Sequence, residues 1–179
     1  MDIKRKRTAA RKNVVLIGMP GVGKTTVGRH LAAQCNMGFL DTDDMIQTLE
    51  GKTLQEILDT RGREAFLQLE GQYGQAVAVE RHVISTGGSM VYCREAMRHL
   101  ATEALVVHLD LPPALLEKRL TNLSTRGTIM APGQTIWELY EERTPLYRQY
   151  ANETLDCSDL SSASILEAIR RFMQEAGLQ

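Results

Sequence analysis

One segment constrains the fold of this chain more than any other. Residues 18–25 read Gly-Met-Pro-Gly-Val-Gly-Lys-Thr and match the pattern G-x-x-x-x-G-K-[ST] in full. The β-branched run Asn13–Ile17 precedes the segment, and a helical pattern follows it from residue 24. Glycines here let successive backbone N–H groups converge on phosphate oxygens, and the helix adds its positive N-terminal end. The sequence therefore predicts a nucleotide-binding loop, called below the phosphate-binding loop.

The residue types in this loop predict individual roles. We expect Lys24 to reach the β- and γ-phosphates and the Thr25 hydroxyl to bind Mg²⁺. The chain contains no Asn-Lys-x-Asp segment that would read guanine, and its short length favours a kinase of a small metabolite over a GTPase or a large ATPase. The residues expected to bind the nucleotide in this region are Gly18, Pro20, Gly21, Val22, Gly23, Lys24, Thr25 and Thr26.

Length and composition exclude several classes of protein. The 179 residues are 43% hydrophobic and 24% charged, which is typical of one globular domain. The net charge of −1 gives no general support for nucleic-acid binding. No apolar run reaches the roughly 18 residues that span a bilayer, so we expect no membrane segment. The three cysteines form no CxxC pair, which argues against a zinc site and indicates a reducing compartment, hence a cytoplasmic protein.

Charge is unevenly distributed along the chain. Residues 1–12 carry a net charge of +5 against −6 for the remainder. We interpret 1–12 as a disordered basic tail and 13–179 as the folded domain. A tag for nucleic-acid binding or localisation is the alternative interpretation of the tail.

Short apolar runs alternate with longer helical patterns after the tail. Alternation of this kind predicts βαβ units and a parallel sheet flanked by helices. Residues 122–133 show neither periodicity and predict a lid over the active site. The predicted strands cover 13–17, 39–41, 83–86, 104–109 and 154–156, and the predicted helices cover 24–35, 43–50, 54–60, 63–80, 93–101, 113–121, 134–149 and 162–176.

Several motifs, taken in order along the chain, resemble those of the shikimate kinase family, within the nucleoside-monophosphate-kinase-like branch of P-loop proteins. The resemblance covers residues 13–172. It implies a five-stranded α/β P-loop domain with an acceptor-binding region at about 43–80, a monomer, and transfer of the γ-phosphoryl group of ATP to shikimate, giving 3-phosphoshikimate in aromatic amino-acid biosynthesis. The motifs are residues 18–26, Asp41-Thr-Asp43, Gly62-x-x-x-Phe66 with Glu70, Thr86-Gly-Gly88, Arg119 with Arg126, and Glu142-Arg-Thr-Pro-Leu-Tyr147.

The resemblance implies roles for two aspartates and two arginines. Asp41 joins Thr25 in holding Mg²⁺, and Asp43 binds the acceptor hydroxyl and takes its proton. The alternative is that both aspartates cap the following helix. Arg119 stacks on adenine, and Arg126 closes over the transferring phosphate, unless these are ordinary surface arginines.

The acceptor site follows in the same way. By resemblance, Arg143 binds the acceptor carboxylate with two parallel N–H donors, and Gly87 and Gly88 let the backbone approach the acceptor. A plain strand-to-helix turn is the alternative for the glycine pair. The family has a third glycine where this chain has Ser89, so the pocket floor is expected to differ.

The largest departure from the family pattern is Leu67, which stands where the family has a second arginine for the acceptor carboxylate. Losing one charge-assisted hydrogen bond costs about 1.5–3 kcal/mol. Arg63 lies four residues earlier on the same helical face, and we expect it to supply the missing guanidinium. The competing hypothesis is that Leu67, Ser89 and the altered lid fit another hydroxy acid.

Two other functions remain open from the sequence. One is a kinase of a different sugar acid, such as a gluconate-type kinase, which would share the phosphate-binding loop. The other is a degenerate nucleotide-binding sensor. The presence of Lys24, Asp43 and Arg126 argues against a sensor, because a sensor has no need of the phosphoryl-transfer groups.

Overall fold

Five parallel strands form the sheet at the centre of the protein. The computed structural model describes residues 11–120, 130 and 133–178. The strand order is β2-β3-β1-β4-β5, and every pairing is parallel. The predicted five-stranded parallel sheet is thereby confirmed. The strands are β1 (Asn13–Ile17), β2 (Gly38–Asp41), β3 (His82–Ser85), β4 (Ala104–Asp110) and β5 (Glu153–Asp156).

Helices connect and cover these strands. Every residue of β1 is buried, as expected for a central strand covered on both faces. A short 3-10 helix, Met90–Tyr92, follows β3 and was absent from the sequence prediction. The α-helices are α1 (Lys24–Gln34), α2 (Thr42–Glu50), α3 (Leu54–Ala76), α4 (Arg94–Ala101), α5 (Pro113–Leu120), α6 (Ile136–Tyr150) and α7 (Ser162–Glu175).

Helix α3 is broken at Gly62, whose φ of 78° and ψ of 171° are not helical. The break divides the helix into 54–61 and 63–76, close to the two helices predicted from the sequence. The helix ends at Ala76 rather than at residue 80, because the buried Val77 is extended and leads the chain towards β3. At the other end, a capping box between Thr53 and Glu56 fixes where the helix begins.

The hydrophobic core has two parts. The larger part surrounds the sheet and includes β1 and β4. The smaller part lies between α2 and α3, where Ile46, Leu54, Ile57 and Phe66 are buried together. Leu67 is partly buried against this smaller cluster, so its side chain contributes to packing of the acceptor-region helices.

Lys12, just before β1, is the point at which the N-terminal segment is attached to the folded domain. The Lys12 backbone N–H donates to the Glu103 carbonyl at 2.7 Å, and its ammonium pairs with Glu80 at 2.6 Å. Residues 1–10, which make up most of the predicted tail, lie outside the described residues. Within the described part, no helix is long and apolar enough to cross a membrane.

Close packing of α3 on α4 gives a test of this arrangement. A Cβ at Gly74 would lie 2.8 Å from Ala96 Cβ and 2.8 Å from Met90 Sδ. We expect Gly74→Val to lower the free energy of unfolding by about 1–3 kcal/mol through overpacking. Urea denaturation measures the effect. The matched control is Gln72→Val, at an exposed position of the same helix, with an expected change within about 0.5 kcal/mol. Equal effects of the two variants would contradict the close packing.

Candidate active site

The predicted functional segments meet at one edge of the sheet. The phosphate-binding loop follows β1, Asp41 ends β2, and Thr86-Gly-Gly88 follows β3. These three strands are adjacent and parallel, so their carboxyl ends face the same side. Ligands of open α/β sheets bind outside this edge. The fold therefore brings together side chains that are separated by up to about 70 residues in the sequence.

The phosphate-binding loop has a backbone shape suited to an anion. Gly18, Gly21 and Gly23 have positive φ values of 144°, 81° and 108°. A Cβ at Gly18 would collide with the Leu109 carbonyl oxygen, so β4 packs directly against the loop. Helix α1 has no side-chain cap at Gly23 and no acidic residue in its first turn. Its N-terminal end therefore carries no side-chain carboxylate that would compete with a phosphate.

Lys24 lies inside the loop and is buried. Its ammonium donates hydrogen bonds to the carbonyl oxygens of Gly18 at 2.8 Å and Met19 at 3.0 Å. Burial lowers its pKa to about 8, while the nearby Asp43 and Asp41 carboxylates act in the opposite direction. At neutral pH the group is mostly charged, which suits it to stabilise phosphate oxygens.

Thr25 and Asp41 are in contact. The Thr25 hydroxyl donates to Asp41 Oδ2 at 2.8 Å, and Asp41 Oδ1 accepts from the Asp43 backbone N–H at 3.0 Å. Asp41 therefore caps α2, as one interpretation of the sequence held, and it also places a carboxylate beside the loop hydroxyl. Hydroxyl and carboxylate oxygens are the ligands that Mg²⁺ prefers, and magnesium that also binds phosphates needs only one or two protein ligands. The pair fits such an ion.

Asp43 and Glu70 converge on Gly87. A Cβ at Gly87 would lie 2.6 Å from Asp43 Oδ1 and would collide with Glu70 Oε1. No side chain larger than hydrogen fits at this position, so the glycine is required by close approach of two carboxyl groups. Burial raises the pKa of Asp43 to about 6, Asp41 adds to the increase, and Lys24 opposes it. Asp43 is thus ionised at neutral pH and more basic than an ordinary aspartate.

Glu70 belongs to the motif that contains Gly62 and Phe66, and the sequence predicts no role for it. Its side chain is 1% exposed, and although the Ser89 side chain lies near the carboxyl group, neither carboxylate oxygen has a well-formed hydrogen bond among the described residues. The pKa of Glu70 is raised to about 8, chiefly by burial and further by Asp43, against lowering effects of Ser89, Arg143 and Lys24. Buried polar groups with such incomplete hydrogen bonding are uncommon.

Two arginines face one aromatic ring. Arg143 is 1% exposed; its guanidinium carbon lies 5.2 Å from the centre of the Tyr92 ring, and its Nε donates to the Tyr92 hydroxyl at 3.1 Å. The Arg63 guanidinium carbon lies 5.7 Å from the same ring centre. The Tyr92 hydroxyl donates to Glu142 Oε1 at 2.6 Å, and Arg63 lies 3.8 Å from that oxygen. Two guanidinium groups from different helices therefore lie beside one aromatic ring.

The glycine pair is held by its neighbours. The Gly87 N–H donates to the Thr42 hydroxyl at 2.9 Å, so this donor is already used within the protein. The Gly88 carbonyl accepts from the Tyr147 hydroxyl at 2.7 Å, and a Cβ at Gly88 would lie 3.0 Å from Arg143 Nη1. The two glycines thus fix the distance between the acceptor-region helix α2 and the Arg143 guanidinium of α6.

The remaining predicted residues lie at the nucleotide side. Arg119 is exposed on α5, and its Nη1 donates to the Val22 carbonyl of the phosphate-binding loop at 3.1 Å. This places a planar cation at the entrance of the loop. Arg126 and most of the predicted lid at 122–133 lie outside the described residues.

Comparison with known proteins identifies the family. A model of the family described as shikimate kinase matches residues 20–174. The chain belongs to the shikimate kinase family. Members of this family are ATP-dependent phosphotransferases that act on a hydroxyl group.

Individual relatives agree with this result. A shikimate kinase from Caldanaerobacter subterraneus subsp. tengcongensis is 33% identical over 163 residues, which cover 89% of this chain and 95% of the relative. A solved shikimate kinase from Acinetobacter baumannii, in complex with shikimate, superposes with a TM-score of 0.83 at 28% identity, over 94% of this chain and 96% of that one. A gluconokinase from Sinorhizobium meliloti reaches a TM-score of 0.53 at 17% identity, over 93% of this chain and 96% of that one, a likeness of fold alone.

The raised pKa of Asp43 predicts a stability change in this shikimate kinase family member. The folded pKa of about 6 lies above the ordinary 3.8, so the unfolded chain releases this proton first as the pH rises. Ionisation of Asp43 therefore destabilises the fold progressively above pH 3.8 and fully above pH 6. We expect Asp43→Asn to raise the free energy of unfolding by about 1–3 kcal/mol at pH 8, and by much less at pH 4.

Urea denaturation at the two pH values checks this expectation. Asp44→Asn is the matched control, because Asp44 is exposed and pairs with Arg29 at 3.2 Å. Its expected effect is within about 0.5 kcal/mol at either pH. A destabilised Asp43→Asn protein at pH 8 would contradict the proposed burial of this charge.

Proposed function

We propose that this protein transfers the γ-phosphoryl group of ATP to a hydroxyl group of shikimate, giving 3-phosphoshikimate for aromatic amino-acid biosynthesis. The observation that carries the proposal is the placement of Asp43 beside Lys24 of the phosphate-binding loop, at the edge where β1, β2 and β3 end. Membership of the shikimate kinase family supports shikimate as the acceptor, as does the similar A. baumannii enzyme solved with shikimate.

In this proposal the nucleotide lies along the phosphate-binding loop. Backbone N–H groups and the N-terminal end of α1 bind the phosphates, and Lys24 leaves its carbonyl partners to contact the β- and γ-phosphate oxygens. Arg119 stacks on adenine from its position beside Val22. Arg126, outside the described residues, is assigned to the transferring phosphate, where a permanently charged planar group stabilises developing charge.

Asp43 is the proposed general base. Its pKa of about 6 leaves it ionised near pH 7 but closer to that pH than an ordinary aspartate, which favours proton acceptance from the attacking hydroxyl. The backbone around Gly87 approaches this carboxylate closely, so the glycine holds Asp43 in place for the acceptor hydroxyl.

Magnesium is the proposed metal, and Thr25 and Asp41 are the residues that would hold it. When bound, the ion neutralises charge that develops on the phosphate oxygens. The contact between the two side chains keeps both oxygens near the loop before any ligand arrives.

The acceptor carboxylate is assigned to Arg143 and Arg63. Both guanidinium groups face the Tyr92 ring, and Arg143 is held by the Tyr92 hydroxyl. Leu67 packs against the small apolar cluster and supplies no charge. The break at Gly62 places Arg63 at the start of the second half of α3. From there its guanidinium supplies the second cation for the acceptor carboxylate, beside Arg143. We further propose a cytoplasmic monomer without nucleic-acid partners.

The activity is tested by acceptor-dependent release of ADP from Mg·ATP, with shikimate beside gluconate and other small hydroxy acids. We expect saturable turnover with shikimate, and a fall in kcat of about 100-fold or more for Asp43→Asn, because general-base catalysis contributes that much. Asp44→Asn is the control and is expected to turn over like the wild type. Turnover with gluconate but not with shikimate would show that gluconate, and not shikimate, is the acceptor. Nucleotide binding without any acceptor-dependent ADP release would indicate a sensor.

The role of Arg63 has its own test. We expect Arg63→Ala to raise the KM for shikimate by about 10- to 150-fold with a much smaller change in kcat, because a charge-assisted hydrogen bond to the acceptor is lost. Arg61→Ala is the matched control: Arg61 lies on the other side of Gly62 and pairs with Glu50 at 2.7 Å. Steady-state kinetics of both variants decide the point. Equal KM values for the two would exclude Arg63 from the acceptor site.

A further inference from the structure

Tyr92 lies beside both arginines of the acceptor site, and its backbone is firmly held. It is the last residue of the 3-10 helix Met90–Tyr92, which follows β3. Its N–H donates to the Ser89 carbonyl at 3.0 Å, and the two residues before it, Met90 and Val91, are buried in the core. The partly buried Tyr92 side chain therefore extends from a rigid base.

The two arginines differ in how firmly the rest of the protein holds them. Arg143 is buried, whereas the Arg63 side chain is 43% exposed and stands directly after the break at Gly62. A long exposed side chain loses rotamer freedom when it is held in one place, and this loss opposes binding of an acceptor. Arg63 therefore needs a neighbouring group that orders its guanidinium before the acceptor arrives.

Tyr92 contacts the two arginines through different parts of its side chain. The Arg63 guanidinium carbon lies 5.7 Å from the ring centre, a distance at which an aromatic ring attracts a cation. The hydroxyl accepts from Arg143 Nε at 3.1 Å and donates to Glu142 Oε1 at 2.6 Å. The same Glu142 oxygen lies 3.8 Å from Arg63, so the hydroxyl also fixes the carboxylate that pairs with Arg63.

The hydroxyl is suited to this role because it keeps its proton. Burial raises the pKa of Tyr92 and the hydrogen bond to Glu142 adds to the increase, while Arg143 acts in the opposite direction. At neutral pH the phenol is neutral, so it can donate to Glu142 and accept from Arg143 at the same time. It thus orders charged groups without adding a charge of its own.

We propose that Tyr92 is a positioning residue for the acceptor carboxylate: its ring holds Arg63 and its hydroxyl holds Arg143, so that both guanidinium groups are ordered before the acceptor binds. This inference rests on the proposed kinase function, in which the two arginines bind that carboxylate. Leu67 packs on the smaller core cluster and supplies no cation from α3, so the site depends on Arg63 and Arg63 depends on the ring. Groups ordered in advance lose less entropy on binding and therefore bind more tightly.

Two substitutions separate the hydroxyl from the ring. We expect Tyr92→Phe to raise the KM for shikimate about 5-fold, because Arg143 loses a hydrogen bond. Tyr92→Leu should raise it about 5-fold further, because the attraction between ring and guanidinium is also lost. The KM for ATP and kcat should change by less than about 2-fold in both variants. Steady-state kinetics measure all three, and a KM for ATP that rises in parallel with the KM for shikimate would overturn the proposal.

Tyr73→Phe is the matched control for loss of the hydroxyl. The Tyr73 hydroxyl donates to Glu50 at 2.9 Å, and Glu50 pairs with Arg61 at 2.7 Å, so the same three residue types meet at a second place on α3. We expect this variant to keep the KM for shikimate within about 2-fold of the wild type. An equal rise in the two Phe variants would overturn the role assigned to the Tyr92 hydroxyl.

A double-mutant cycle tests whether the ring acts through Arg63. In an Arg63→Ala background, we expect the additional effect of Tyr92→Leu over Tyr92→Phe to fall from about 5-fold to about 2-fold or less. The effect of Tyr92→Phe itself should persist, because Arg143 is still present. The Arg143 guanidinium carbon lies 5.2 Å from the ring centre and accounts for the remaining effect of the ring. A 5-fold step in both backgrounds would overturn the assignment of the ring to Arg63.

Thermal unfolding of the same variants needs no acceptor. We expect Tyr92→Leu to lower the Tm by about 1–3 °C less in the Arg63→Ala background than with Arg63 present, because the contact between ring and guanidinium is already removed. Equal Tm shifts in the two backgrounds would overturn the proposal. Absence of shikimate turnover in the wild-type protein would remove the acceptor role together with the proposed function, and the Tm series would still decide whether Tyr92 holds Arg63.

Discussion

Burial of ionisable side chains beside one another is the constraint on which this site depends. Lys24 and Arg143 bring positive charge and Glu70 brings a carboxyl group into the protein interior, where the partly buried Asp43 lies beside them. Charges in such a place are tolerated only with partners or with shifted protonation. The raised pKa values of the two acids and the lowered pKa of the lysine are the consequence. The groups suited to phosphoryl transfer therefore make the empty protein less stable than an apolar pocket would.

The parallel sheet makes this crowding unavoidable. Strands β1, β2 and β3 are neighbours and end on the same side, so the segments that follow them share one small volume. Gly87 is the point of closest approach, where even a methyl group would collide with Glu70. The rigidity of the fully buried β1 then holds the phosphate-binding loop at a fixed distance from the acceptor-region helices.

Local sequence patterns predicted the parts of the protein that local physics determines. The phosphate-binding loop follows from glycine spacing, the start of α3 from its capping box, and the interruption near Gly62 from a glycine within a helical pattern. Tyr92 and Glu70 could not be recognised in this way. Tyr92 matters because two arginines from distant helices face its ring, and Glu70 matters because its buried carboxyl group meets Asp43 at Gly87. Both properties arise from tertiary contacts, which single-residue patterns do not contain.

The contact of Arg63 with Glu142 has a consequence for how an anion enters this pocket. Before any ligand arrives, the two guanidinium groups beside Tyr92 already share a protein carboxylate, at 3.8 Å from Arg63 and through the Tyr92 hydroxyl from Arg143. An incoming carboxylate therefore competes with Glu142 instead of meeting two bare cations. Arrival of the anion is an exchange of one carboxylate for another, so the local field changes little, and selection among anions rests on the shape of the carboxylate and the ring attached to it more than on the amount of charge.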